Sequence, residues 1–438
     1  MKKFLLIKDK IKSFNKKISI DGDKSLSVRW ALLASQSNGK SKAFKLLKSE
    51  DVINTLNCLK KLGTKVKFVR DYCEINGSGI NKFVFKNNTI LNAGNSGTLG
   101  RLLMGLLVHA DKKVKLIGDK SLSKRDFSRV IDPLKNFGAK FNSKNKKLPI
   151  FITGTKNPRP INYIENKGSA QCKSSIMLAA LNTPGETKIK AKKSRDHTEL
   201  LFKYLNLPIK IKKTKKYDYI KIRGKKKIKP FNYSLPGDIS SSAFFIVLTA
   251  LSSDSKILIK NVNINPSRIG VIKILKKMGV KLLLKNKKNY KGEKIGDILV
   301  KSSKNLKSIN CPTELNSSAI DEFLVIFLVA AKAKGVSYFS NLSELNHKES
   351  PRLNWGSKIL NMMGIKTKLT NHSIKIYGDP NLKIKNFIKV KDFLKDHRIF
   401  MMCVIAALTF GGKWKIYDPE SINTSFPSFL RIINLLKK

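Results

Sequence analysis

The sequence predicts a mixed α/β (α+β) chain of two similar lobes, each carrying three copies of one helix–strand unit. Three observations point there. The 438 residues are too many for one ordinary core and fit two domains. One helix ending recurs along the whole chain. Upstream of each ending stands a second, almost wholly apolar helix that opens on small polar or charged residues.

The recurring ending is Leu59-Lys60-Lys61-Leu62-Gly63-Thr64-Lys65, then Leu134-Lys135-Asn136-Phe137-Gly138-Ala139-Lys140, with further copies around Gly279 and Gly364. A fifth copy, Lys203-Tyr204-Leu205-Asn206, sets Asn where the others have Gly, and a sixth occupies residues 429–436. Gly or Asn at this place predicts a left-handed C-cap followed by a strand. The apolar helices open at Lys24-Ser25-Leu26-Ser27, Asn95-Ser96-Gly97-Thr98, Ser169-Ala170-Gln171, Ser240-Ser241-Ser242, Ser318-Ala319-Ile320-Asp321-Glu322 and Asp396-His397-Arg398. Bodies such as residues 243–251 and 323–331 are apolar on every face, which predicts burial. The unit repeats at roughly 70–85 residues, so three copies fall in each lobe. Helix N-termini carry partial positive charge and open N–H groups. Two lobes with three such mouths each predict a cleft for a multiply charged anion.

Composition narrows the function. A hydrophobic content of 41% is enough for ordered cores. The longest apolar run, residues 323–331, falls short of the roughly 18 a membrane helix needs. The start, Met1-Lys2-Lys3-Phe4-Leu5-Leu6-Ile7-Lys8, lacks a signal-peptide core. The five cysteines are scattered and never spaced CxxC, which predicts reduced thiols in a cytoplasmic protein without structural zinc. The net charge of +58 raises the question of nucleic acid. A base-reading face would interleave aromatics with the lysines, and the basic runs 210–216 and 281–288 hold none. The lysines therefore read as solvated faces, with neither nucleic acid nor membrane as partner. The chain holds no P-loop, no GxSxG elbow and no HExxH, and its five histidines do not cluster as metal ligands.

What remains is a set of cations at the helix mouths. Lys24 and Arg29 flank two hydroxyls, Arg101 follows Ser96-Gly97-Thr98, and Arg125 follows Gly118-Asp119-Lys120. Lys348-Glu349-Ser350-Pro351-Arg352 sets two cations around a carboxylate, and Asp396-His397-Arg398 adds a third. Recurrence at equivalent places in a repeat marks these as more than solvated charges. The arginine fork suits carboxylate and phosphate.

These residues resemble the family of 5-enolpyruvylshikimate 3-phosphate synthases, from about Asp21 to the C-terminus. The likeness rests on Gly22-Asp23-Lys24-Ser25-Leu26-Ser27-Val28-Arg29, Gly94-Asn95-Ser96-Gly97-Thr98, Ser169-Ala170-Gln171-Cys172-Lys173-Ser174 and Arg195-Asp196-His197-Thr198-Glu199. It continues through Pro236-Gly237-Asp238-Ile239-Ser240-Ser241, Ile320-Asp321-Glu322, Lys348-Glu349-Ser350, Asp396-His397-Arg398 and Thr424-Ser425-Phe426-Pro427. The resemblance implies two lobes of three βαβαββ units each, an inside-out α/β barrel. Crossovers near 19–21 and 235–238 would make residues 21–236 one lobe and residues 1–20 with 237–438 the other.

Carried over by motif, shikimate 3-phosphate would be held by Lys24, Ser25, Arg29, Ser169, Ala170, Gln171, Arg195, Asp321 and Lys348. Phosphoenolpyruvate would be held by Lys24, Asn95, Gly97, Arg125, Gln171, Glu349, Arg352 and Arg398. The implied reaction needs a base on the sugar hydroxyl and an acid at the C3 methylene. Asp321 is the expected base. Glu349 is the expected proton donor, with Lys24 as the competing candidate. The resemblance implies a monomer with no cofactor and no metal, whose lobes close over the substrates. It also implies a phosphoenolpyruvate position open to glyphosate, where Gly97 predicts sensitivity. Three positions depart from the family pattern: Asp21 stands for the usual Pro, Pro351 for Asp, and Thr424 for a Lys found in some members. The alternatives are a UDP-sugar acceptor on the same fold and a basic nucleic-acid-binding protein. The first usually has Asn after the motif Lys and a reactive Cys on a loop. This chain has Ser25 there, and no Cys in residues 120–125.

Overall fold

The computed structural model describes residues 3–384 and 386–438. It divides into two compact units. The N-terminal unit is Gly22–Leu235 with Tyr290–Glu293, and the C-terminal unit takes the residues up to Asp21, Pro236–Asn289 and Lys294–Lys438. The sequence placed 237–438 whole in one lobe. Tyr290–Glu293 instead joins the N-terminal unit, because Lys291 donates to the Asn232 carbonyl and Glu293 pairs with His197.

The N-terminal unit is built around three buried helices, Lys24–Ser35, Gly97–Leu107 and Ala170–Ala180. Its sheets share one pattern. Thr89–Asn92 lies parallel to Val114–Ile117, which pairs antiparallel with Ile150–Thr153, and that in turn with Lys140–Asn142. Asn162–Glu165, Glu186–Lys192, Tyr217–Arg223 and Ile209–Lys213 repeat the order. In the first copy the parallel edge is Tyr233–Ser234, from the end of the unit. Alternation sorts the side chains: in Glu186–Lys192, Thr187, Ile189 and Ala191 are buried while Lys188 and Lys192 are exposed. In this strand the exposed lysines lie on the outward face.

The C-terminal unit repeats the scheme around Ile239–Leu251, Phe323–Lys332 and His397–Phe410. Asn15–Ser19 runs parallel to Lys256–Asn263, so the chain's start completes a sheet of its second half. Residues 323–331 are buried on every face, at about 1.5–3 kcal/mol for each large apolar side chain. A charge placed at Val325 would break the unit. The surface helices end as the repeat predicts: Gly63, Gly138, Gly279 and Gly364 have φ of 87°, 105°, 85° and 89°, and Asn206 has 53°.

The helix mouths differ from expectation. Asp23, Ser96, Ser169, Asp238 and Asp396 cap the first turns of five of the six buried helices with their own side chains. Three of those caps are carboxylates, so part of each positive helix end is satisfied from within. The sixth mouth is a break. A short turn, Asn316–Ala319, precedes Phe323–Lys332, and Asp321 and Glu322 lie between the two.

Candidate active site

In the N-terminal unit the predicted residues start three neighbouring helices. Arg29, 5% exposed, donates from Nε to Thr198 Oγ1 at 2.8 Å, from Nη2 to Ser174 Oγ at 3.1 Å and from Nη1 to the Ser25 carbonyl at 3.1 Å. The Ser174 and Thr198 hydroxyls are themselves 2.7 Å apart. Lys24 Nζ pairs with Asp51 Oδ2 at 3.0 Å. Gln171 accepts from Arg101 Nη1 at 2.7 Å and donates to Thr98 Oγ1 at 3.0 Å, while the Arg101 guanidinium lies over the Phe127 ring. Asn95 donates to Asp119 Oδ2 at 2.6 Å and accepts from Arg125 Nη2 at 3.3 Å. Ser169 caps the helix that Ala170 opens. Gly97 leaves room for both arginines. A Cβ there would stand 2.9 Å from Arg101 Nη1 and 3.1 Å from Arg125 Nη1. Arg195, half-buried, precedes the helix His197–Tyr204, whose Thr198 meets Arg29. Cys172 is buried, its thiol donates to the Arg129 carbonyl, and burial, with Glu165, pushes its pKa up to about 12. The raised pKa favours the thiol over the thiolate.

In the C-terminal unit one guanidinium organises the acids. Arg352, 2% exposed, donates from Nε to Asp396 Oδ2 at 2.8 Å and from Nη2 to both Asp396 and Glu349. Its Nη1 lies 3.5 Å from Asp321 Oδ1, and Lys348 Nζ reaches the same oxygen at 3.5 Å. Burial works against the Arg352 charge, but Asp396, Glu349 and Asp321 outweigh it and push the pKa above its usual value. Arg352 is a fixed cation. Arg398 Nη1 donates to the Asp321 carbonyl at 2.6 Å and lies 3.9 Å from Glu322 Oε1. Behind it, the Ser240 hydroxyl donates to Glu322 and accepts from the buried Arg268 at 2.7 Å. The structure thus brings Asp321, Lys348, Glu349, Arg352 and Arg398 into one cluster. Pro351, with φ of −70°, fits directly before the helix Arg352–Met362 and leaves the Glu349–Arg352 pair intact.

A model of the family described as EPSP synthase (3-phosphoshikimate 1-carboxyvinyltransferase) matches residues 8–433. The chain belongs to the EPSP synthase family. The 3-phosphoshikimate 1-carboxyvinyltransferase of Ruthia magnifica subsp. Calyptogena magnifica is 40% identical over 422 residues, covering 95% of this chain and 94% of the relative. That of Petrotoga mobilis is 38% identical over 430 residues, covering 97% and 98%. The solved EPSP synthase of Acinetobacter baumannii matches with a TM-score of 0.86 at 34% identity, over 100% of this chain and 98% of its own. The enolpyruvyl transferase NikO of Streptomyces tendae, 14% identical with a TM-score of 0.77 and covering 100% of this chain and 98% of its own, shares the fold.

Against the EPSP synthase pattern, two departures acquire partners. Asp21 accepts from the Ser428 hydroxyl at 2.5 Å, and Thr424 Oγ1 lies 3.2 Å from His397 Nδ1. Sequence reasoning missed Asp51 and the full part of Asp396. Asp396 caps its helix through Arg398 N, takes the Ser350 hydroxyl and clamps Arg352. Its place at a helix mouth was a signal. Its bond to a residue 44 positions away was not.

Proposed function

We propose that this chain transfers the enolpyruvyl group of phosphoenolpyruvate to the 5-hydroxyl of shikimate 3-phosphate and releases phosphate, with the residues of the two units in separate roles. Lys24, Ser25, Arg29, Ser169, Ala170, Gln171 and Arg195 hold shikimate 3-phosphate, with Asp321 and Lys348. Lys24, Asn95, Gly97, Arg125, Gln171, Glu349, Arg352 and Arg398 hold phosphoenolpyruvate. Asp321 takes the proton of the 5-hydroxyl as its oxygen bonds to C2. A proton delivered to C3 turns the methylene into a methyl. The adduct then loses a C3 proton and expels inorganic phosphate, restoring the double bond. Cations on the departing phosphate stabilise its charge.

The observation that carries this reading is the Arg352 cluster, which gathers Asp321, Glu349 and Asp396 around one buried cation. Two candidate proton carriers are thereby fixed beside the cations Lys348 and Arg352. The test is a phosphate-release assay with both substrates. Release that requires both, and ceases when either is withheld, supports the reading. Release from phosphoenolpyruvate alone contradicts it. The buried, unbridged cysteines support a reducing compartment, and we place the enzyme in the cytoplasm as a monomer. Size-exclusion at the mass of a single chain checks the latter.

A further inference from the structure

The strands Leu282–Tyr290 and Glu293–Lys301 are joined by Lys291 and Gly292, with φ of 48° and 88°. Two left-handed residues in succession are what a tight two-residue hairpin needs. The tip, Tyr290–Glu293, belongs to the N-terminal unit, though the chain on either side does not. It is held residue by residue. Tyr290 Oη accepts from Ser234 N at 2.9 Å. The Lys291 ammonium lies 5.5, 5.8 and 5.4 Å from the ring centroids of Tyr204, Tyr233 and Tyr290. A side chain on Gly292 would meet the Leu200 carbonyl at 2.9 Å. Glu293 Oε1 then lies 2.6 Å from His197 Nδ1, with side chains 0% and 1% exposed.

His197 opens the helix His197–Tyr204, and its neighbours reach the cations of the site. Thr198 accepts from Arg29, and Glu199 Oε1 lies 2.5 Å from Lys173 Nζ on the helix that Ser169 caps. Arg195 stands two residues earlier. Three successive side chains therefore tie this first turn to three elements: the hairpin tip, the helix Lys24–Ser35 and the helix Ala170–Ala180. The second and third ties are local to the site. The first reaches the hairpin tip instead and has no part in the chemistry above. Breaking one side of a buried carboxylate–imidazole pair is costly, which favours keeping the two side chains together.

We propose that Glu293 is a positioning residue for shikimate 3-phosphate. Through His197 it fixes the first turn of the helix, and with it Arg195 and the Thr198–Arg29 pair, in the arrangement that receives the substrate's phosphate and hydroxyls. Fully buried, it does not touch the substrate. This rests on the substrate assignment above.

The test is equilibrium binding of shikimate 3-phosphate by calorimetry, beside steady-state kinetics, on wild type, Glu293→Ala, Glu293→Gln and Tyr290→Phe. The expected result is a Kd and KM for shikimate 3-phosphate raised about tenfold in Glu293→Ala and about threefold in Glu293→Gln. The KM for phosphoenolpyruvate and kcat stay within about twofold, and Tyr290→Phe, which loses a tip contact but keeps the His197 pair, binds as wild type does. Unchanged affinity in Glu293→Ala, or equal losses in kcat and both KM values, overturns the proposal. If Glu293→Ala does not fold, Glu293→Gln decides: wild-type affinity there overturns it equally. A wild-type chain that fails to bind shikimate 3-phosphate would sink the substrate assignment itself, a different outcome from a variant that binds normally.

Discussion

Arg29 and Arg101 in one unit and Arg352 in the other are dressed differently. In the N-terminal unit Arg29 and Arg101 donate to hydroxyl, amide and backbone oxygens of Thr198, Ser174, Ser25, Gln171 and Asp126. In the C-terminal unit Arg352 faces Asp321, Glu349 and Asp396 at once. The bonds of Arg29 and Arg101 order hydroxyl, amide and backbone groups, whereas Arg352 holds three carboxylates in place. On the roles proposed above, shikimate 3-phosphate binding falls chiefly to the first unit and proton transfer to the second.

The largest effect should come from Glu349→Gln. It keeps the shape beside Arg352 and removes the transferable proton, so kcat should fall about 10²–10⁴-fold in the phosphate-release assay. Turnover close to wild type would hand the donor role to Lys24. Next is Arg29→Ala, which removes a buried guanidinium that bonds Thr198, Ser174 and Ser25. Shikimate 3-phosphate affinity should drop about a hundredfold, equivalent to about 2.7 kcal/mol, while phosphoenolpyruvate binding changes little. Equal losses for both substrates would blur the contrast. Gly97→Ala comes third. Its methyl presses on the far ends of Arg101 and Arg125, groups that move at small cost. The KM for phosphoenolpyruvate should rise about threefold, or roughly 0.7 kcal/mol, and glyphosate inhibition should weaken more. Identical inhibition curves for the two proteins would defeat this.

The smallest effect concerns acid. His109 in the N-terminal unit is buried, and burial lowers its pKa below the usual 6.5. Below that pH the unfolded chain takes a proton that the folded one refuses, so stability falls as pH drops below about 6.5. Thermal unfolding of His109→Gln should therefore lose less between pH 7 and pH 5 than wild type does. Parallel losses would place the acid sensitivity elsewhere.

Local patterns were readable from the residues. The Gly and Asn endings named left-handed caps because few other residues accept positive φ, and the structure has them at Gly63, Gly138, Gly279, Gly364 and Asn206. The apolar bodies named the buried helices. The cations marked candidate site residues through their place in a repeat. Pairings across long separations were hidden. Nothing near Lys24 in the sequence announces Asp51, and nothing near His197 announces Glu293. The carboxylate caps at Asp23, Asp238 and Asp396 were visible as residue types. Their consequence, that helix ends are partly neutralised from within, needed the hydrogen bonds.

The most direct test of the division between binding and proton transfer sets two readings side by side on Asp321→Asn: shikimate 3-phosphate affinity by calorimetry, and phosphate release at saturating substrates. The account predicts affinity within about threefold of wild type and release reduced by about a hundredfold or more. Affinity and turnover falling together, or turnover staying near wild type, would contradict it.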